Sequence, residues 1–582
     1  MSGVAGVPWP AEFSLGSGVV APANAPGPRR RSARVERILI LNLTRLGDLL
    51  QTSPTIATLR ALHPDASITL VADRNFAAVA RGIPHLDEVL EVSLDDMGRQ
   101  ILEGGEGLLS AWTMARDLVE SLRCARFDVA LNLSSSRMSA ILMGLVGVPD
   151  TRGWSATPDG CRVICGRWSK LFAASCLHRA AAPFNLVDTY RLIAGFAAGP
   201  EALAFSVGAP ARAQARELLA GSTAPRVAFQ LGASREIRQW PVASFAAVIR
   251  ALAGVGIEAV LIGAAGDHGL AATVAQLAGV PVRDLTGATD ISGLAAVLGE
   301  CGLLVTGDTG PMHLAAAVGT PVVGLFFGPA LPHDTGPYGR DHILVHAAVP
   351  CAPCAHAADC GAPYCRQEIS PDLVAALVRD RLAGRWEAIE QRARAEAIAR
   401  VHRTDFDAAG FFRATPLDGR SGTNDLLRLA HRTLFSEESG APVISDAIDA
   451  PDGVVVPWAA GAAVFARLGL LAREAAACAQ QLARAGSAAS FDSVEHAHAK
   501  LLAAEESIAT LAATAPEIRL LTTLTGFERE RLDSGSVEYL AHQTAALQTR
   551  LARRALHVAR QLAGPLQQEG DSTWMSTATA TL

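Results

Sequence analysis

The chain has 582 residues, enough for about three domains, and a formal charge of −6 that argues against a general nucleic-acid binder. Half of it is hydrophobic but only 5% is aromatic, and no run of eighteen uncharged apolar residues occurs. The best candidate, 454–471, is broken by Pro457 and Arg467, so a membrane-spanning helix is not expected.

Residues 1–35 are rich in Gly, Pro and Ala and then basic (Arg29, Arg30, Arg31, Arg34), which reads as a disordered, solvated arm without the order of a signal peptide. Glu36 to Pro54 follows as E-R-I-L-I-L-N-L-T-R-L-G-D-L-L-Q-T-S-P: a strand, a sharp turn at Arg45-Leu46-Gly47-Asp48, then a helix. Asp48 fits there as a helix cap. Strands are predicted at 37–43, 67–72, 88–92 and 127–133, with helices near 49–62, 111–124 and 137–146. After a linker at 201–225, a second series begins, with strands at 226–230, 257–263, 282–286, 302–306 and 321–327. Helices are expected near 242–253, 267–278 and 291–299. Strands alternating with helices imply parallel sheets, hence two doubly wound α/β domains (36–200 and 226–385) with a ligand cleft between them.

The second series contains G-L-L-V-T-G-D-T-G-P-M-H-L-A-A-A-V-G-T-P-V-V-G-L-F-F-G-P between Gly302 and Pro329. A glycine turn entering a helix leaves unpaired N–H groups and a positive dipole end, which suit a diphosphate. Asp308 is placed to hold a ribose or sugar hydroxyl, and Thr309, Gly310 and His313 to meet phosphate oxygens. The plainer alternative is a capped helix in an ordinary sheet.

Four cysteines then cluster as Cys351-x2-Cys354-x5-Cys360-x4-Cys365. Four thiolates at this spacing can enclose structural zinc or iron; free or disulfide-linked thiols are the alternative. The other six cysteines are scattered, which suits a reducing cytoplasm. Trp386 to His402 reads as a charged helix within a loop-rich connector, 386–450. Beyond it, Val464, Leu468, Leu471, Ala475, Cys478 and Leu482 form one seven-residue stripe, and Val494, Ala497, Leu501, Ala504, Ile508 and Leu511 another; 537–562 repeats the pattern. These stripes predict a helical bundle over 451–564, or helices that pair with a second copy of the chain. Residues 565–582 are expected to be disordered.

Read together, Gly47-Asp48-Leu49-Leu50 and the run from Asp308 to Pro321 closely resemble glycosyltransferase family 9, the ADP-heptose:lipopolysaccharide heptosyltransferases. The resemblance runs from about Arg37 to about Val378. It implies the GT-B architecture of two Rossmann-like domains facing a cleft, acceptor on the N-terminal half and nucleotide sugar on the C-terminal half. It also implies inverting, metal-independent transfer of heptose from ADP-heptose to a sugar hydroxyl of the lipopolysaccharide inner core, with no cofactor required. A protein or other glycan acceptor, or a non-catalytic nucleotide-sugar-binding scaffold, is the alternative. Asp48 matches the family's proposed base. Ser234 and Arg238, in the stretch Gln230 to Pro241, match its leaving-group contacts, with Arg238 standing where the family has Lys, and Asp267 loosely matches an acidic ribose contact. The implied location is cytoplasmic, meeting a lipid-linked acceptor at the inner membrane surface. Some protein-directed relatives hold iron in a cysteine finger at a similar place.

Overall fold

The computed structural model describes residues 35–197, 199–347, 349, 351–354, 360–440, 458–487, 491–530 and 535–563. The expected arm at 1–35 (apart from Val35) and tail at 565–582 lie outside these.

The first half is a six-stranded sheet built from β1 (Arg37–Asn42), β2 (Ser67–Asp73), β3 (Glu88–Val92), β4 (Val129–Asn132), β5 (Asp150–Ala156) and β6 (Arg162–Cys165), in the order β3-β2-β1-β4-β5-β6. All neighbours are parallel except β5 with β6. Ile38, Leu39, Ile40 and Leu41 are almost wholly buried because helices cover both faces, which is why this strand reads as one continuous apolar run.

The second half repeats the plan with β7 (Arg226–Gln230), β8 (Glu258–Ile262), β9 (Arg283–Asp284), β10 (Leu303–Gly307), β11 (Val322–Phe326) and β12 (Ile343–Ala347). Two antiparallel strands, β13 (Ala399–Phe406) and β14 (Phe412–Pro416), extend it to the order β14-β13-β12-β11-β10-β7-β8-β9. In both halves the strand order reverses beside the first strand, between β1 and β4 and between β7 and β10. The crevices at such switch points lie outside the strands' carboxyl ends. They place the turns after β1, β7 and β10 at the ligand cleft.

Three expectations change. The charged helix ends at Ala395, and 399–406 is a strand paired with β12. The connector holds this strand, β14 and the helix Thr423–Ser439, so it completes the second sheet. The linker contains the helix Ala209–Leu218, whose Ala215 is buried.

The C-terminal stripes become the helices Ala459–Ser487, Phe491–Thr514 and Val537–Ala563, joined by Arg519–Arg529. Their apolar faces are filled from within the chain. Phe465, Leu468 and Ala475 share a core with Leu551, Val558 and Leu562, and that core continues into Leu171, Ala174 and Phe184 of the first half. Pairing with a second copy through these stripes is therefore not what they do here: the bundle is a third layer packed on the first domain.

Candidate functional site in the inter-domain cleft

The two signature turns meet. Gly47 lies against the imidazole of His313, where a Cβ would stand only 2.7 Å from Cδ2; Gly310 lies against Leu46, where a Cβ would stand 2.8 Å from Cδ2. Only glycine permits so close an approach at these two positions. The short helix Leu46–Leu50 and the helix Gly310–Ala317 thereby bring Asp48 and Asp308 into one electrostatic neighbourhood.

Asp48 is the third residue of its helix, whose N-cap is Arg45. Burial, then the charge of Asp308, pushes its carboxyl up to about 6, against the opposing pull of the Arg45 backbone N–H and guanidinium and the Thr44 hydroxyl. The expected cap does not form, since the N-cap is Arg45 and the helix has no side-chain cap hydrogen bond; Asp48 sits where its proton is labile near neutral pH. Behind it, the buried phenol of Tyr190 is pushed well up, by burial and then by the charge of Asp48.

Asp308 follows β10 and pairs with Arg238. The guanidinium Nη2 donates to its Oδ2 at 2.6 Å and to its backbone carbonyl at 2.5 Å. Arg238 Nε is buried with no hydrogen-bond partner, so part of the donor fork remains to be used. His313 is buried and pushed down to about 4 by burial, so its ring is neutral at pH 7; its Nδ1 has no hydrogen-bond partner. Thr309 is the N-cap residue of Gly310–Ala317, but its hydroxyl is not engaged in capping: it turns back to Thr306 at 3.0 Å.

Ser234, after β7, is reached across the cleft by Arg45 Nη1 at 3.5 Å. Sequence reasoning missed Arg45, although it opens the turn that leads into the first signature. Asp267 lies at the mouths of β7 and β8, against Gly232 and Gly263, and its Oδ2 accepts from Ala264 N–H at 2.9 Å. This is the capping role that competed with the ribose contact. Of the eight cleft residues expected from sequence, Asp48, Ser234, Arg238, Asp308, Thr309, Gly310 and His313 converge on the turns where the halves meet, and Asp267 stands at the rim beside Gly232.

Among the described residues no group of three or more His, Cys, Asp or Glu side chains stands in metal-holding geometry. All four cysteines of the cluster are free thiols: Cys365 is buried, Cys354 half-buried, Cys351 and Cys360 exposed, with Cys351 Sγ 3.5 Å from the Tyr364 hydroxyl. Burial, then neighbouring cysteine charges, raises Cys354.

Two doubly wound domains meeting at their switch-point crevices define a GT-B-type architecture. Residues 115–364 match the family model for glycosyltransferase family 9 (heptosyltransferase). Lipopolysaccharide heptosyltransferase 2 of Escherichia coli K12 is 27% identical over 327 residues, covering 52% of this chain and 85% of that protein. Lipopolysaccharide heptosyltransferase 1 of Pseudomonas aeruginosa is 26% identical over 326 residues, covering 55% and 86%. The solved glycosyl transferase family 9 protein from Veillonella parvula is 21% identical, with a TM-score of 0.48 over 60% of this chain and 99% of that one. Over these residues the chain is similar to glycosyltransferase family 9, and the matches support glycosyltransferase activity. None of the helices in the described residues is long and apolar enough to cross a membrane.

Proposed function

We propose that the chain transfers a heptose from ADP-heptose, with inversion, to a sugar hydroxyl of the lipopolysaccharide inner core. The observation that carries this reading is the convergence of the two signature turns, Gly47 on His313 and Leu46 on Gly310, with Asp48 and Asp308 beside them. The lipopolysaccharide heptosyltransferases among its relatives support the choice of sugar and acceptor.

Asp48 takes the proton of the attacking hydroxyl. A base whose pKa lies near the working pH is deprotonated often enough to act and basic enough to be useful. The departing diphosphate is met by the unspent donors of Arg238, by Ser234 and Thr309, and by the N–H groups opening Gly310–Ala317. Neutral His313 offers one hydrogen bond there without adding charge. Asp308 keeps Arg238 in place and takes a sugar hydroxyl; Asp267 takes a ribose hydroxyl at the rim. These groups neutralise the leaving group without a divalent ion, so catalysis proceeds metal-free, in the cytoplasm at the inner membrane surface where a lipid-linked acceptor is presented.

The test offers purified protein a panel of nucleotide sugars with heptose-deficient inner-core lipopolysaccharide or a protein acceptor. Release of ADP with mass gain of one heptose on the lipopolysaccharide is expected. Transfer from another nucleotide sugar, or to protein alone, overturns the assignment.

A further inference from the structure

A cavity of about 310 Å³ opens at the β12–β13 side of the second sheet, and none of its lining residues belongs to the signature turns. Its walls carry more hydrogen-bond donors than the protein uses. Arg428 Nη1 lies 3.0 Å from His333 Nδ1. A guanidinium only donates, so Nδ1 accepts and the neutral ring carries its proton on Nε2. That buried N–H has no hydrogen-bond partner. His402 on β13 is only 6% exposed, and its Nδ1 likewise has no hydrogen-bond partner, as is true of His346 Nε2 on β12.

The charges are lopsided in the same sense. Arg400 and Arg428 share one lining carboxylate, Asp425, at 2.8 and 3.0 Å, with Asp418 behind at 3.5 Å from Arg400 Nε. Burial, then the Arg400 charge, holds His346 and His402 down to about 4 and about 3, so both imidazoles are neutral hydrogen-bonding groups at pH 7. The cavity also receives the start of the 17-residue helix Thr423–Ser439, the end that favours anions. Two guanidiniums exclude a metal cation, and an apolar guest would leave buried donors unpaired. A tetrahedral oxyanion accepts from several directions at once and carries the matching charge.

We infer that this cavity is a second small-molecule site, separate from the donor cleft, built for a phosphate group held by Arg400, Arg428, His333, His346, His402 and the start of the helix Thr423–Ser439. Its wall residues Leu331–His333 lead directly to Asp334, which accepts from Arg179 Nε of the first half at 2.7 Å. An occupant therefore braces the junction between the two domains.

Calorimetry on the full chain, with the cleft first saturated with ADP, tests this with inorganic phosphate, glucose 6-phosphate and citrate as probes. One saturable phosphate or sugar-phosphate site per chain is expected while ADP is bound, with citrate weaker. His402→Leu and Arg428→Gln should each weaken it at least about ten-fold and leave ADP affinity unchanged. His402→Leu is close in volume and carries the test alone if Arg428→Gln does not fold. Absence of saturable binding, loss of binding once ADP is present, equal affinity in the wild type and His402→Leu, or tighter binding of citrate would each overturn the inference.

Discussion

At Asp48 a buried carboxylate carries a pKa raised to about 6, which predicts a specific loss when the base is removed. Asp48→Asn keeps the shape and removes the base, so turnover should fall about 10²–10⁴-fold while ADP affinity in calorimetry stays unchanged. The wild-type kcat/KM should fall as pH drops below about 6, because Asp48 becomes protonated there. In Asp308→Asn, whatever its absolute rate, that acid limb should shift to lower pH, since a neighbouring negative charge has gone. A limb fixed in place would separate Asp48 from the observed acid ionisation. Arg238→Ala should weaken ADP at least about ten-fold, since it removes the charge-assisted donors facing the diphosphate. Asp48, Asp308, Gly310 and His313 were legible because short glycine-bearing turns carry them at strand ends. Arg45 was not, because no spacing within one half says which side chain of the other half it will face. The cysteine spacing suggested an ion; Cys351, Cys360 and Cys365 do stand close enough to act on Cys354, but no metal-holding group is formed among the described residues.

Among the elements, the strands legible as apolar runs were mostly those buried on both faces, although the partly exposed β3 was also expected at its observed bounds, 88–92. Leu39, Val71, Val227 and Val305 sit in runs with nothing polar to interrupt them. β13 was misread as helix because Arg400, Arg403 and Asp405 alternate with Val401, Thr404 and Phe406, and its charge pattern hid the period of two. The reason lies in its position: near the sheet's end the strand carries charge on both faces, Arg400 reaching Asp425 and Arg403 reaching Asp341. β5, with Gly153 at φ 101°, gave no apolar run at all. The helical stripes were read correctly, but whether they covered this chain or a second copy depended on partners far away in sequence. Their packing is close because small residues line it. A Cβ at Gly469 would lie 2.7 Å from Leu556 Cγ and 3.4 Å from the Ala552 carbonyl. Gly469→Val should therefore cost about 1–3 kcal/mol by overpacking, visible in chemical denaturation, whereas Gly526→Val, in the neighbouring helix with nothing within 4 Å, should show no such clash. Equal losses at both sites would mean that helix propensity, and not the crossing, sets the effect.

Across the whole molecule, buried charge and buried imidazole tie the layers together. Asp188 of the first half is fully buried and accepts from Arg191 at 2.5 Å, from the Tyr338 hydroxyl at 2.7 Å and from Phe412 N–H at 2.9 Å, the last two belonging to the second half. Besides His333, which burial also lowers, five histidines are buried and neutral: burial holds His313 and His346 down to about 4, and His342, His402 and His431 down to about 3. In the unfolded chain each would protonate near 6.5. Between pH 6.5 and 4 the unfolded state therefore binds more protons than the folded one, and stability falls as pH falls, by up to about 1.4 kcal/mol per pH unit for each such histidine. Asp48, Asp188 and Glu530 work in the opposite direction, since a raised carboxyl pKa favours the folded state as pH drops, but they are fewer than these histidines. The melting temperature should accordingly decline steeply from pH 7 to pH 5, and His431→Leu, which removes one of the five from an apolar setting beside Phe435 and Phe465, should flatten that decline. A melting temperature that is level from pH 7 to pH 5 would show that the folded chain takes up protons at these sites as readily as the unfolded one, and that the layers are not held by neutral imidazoles.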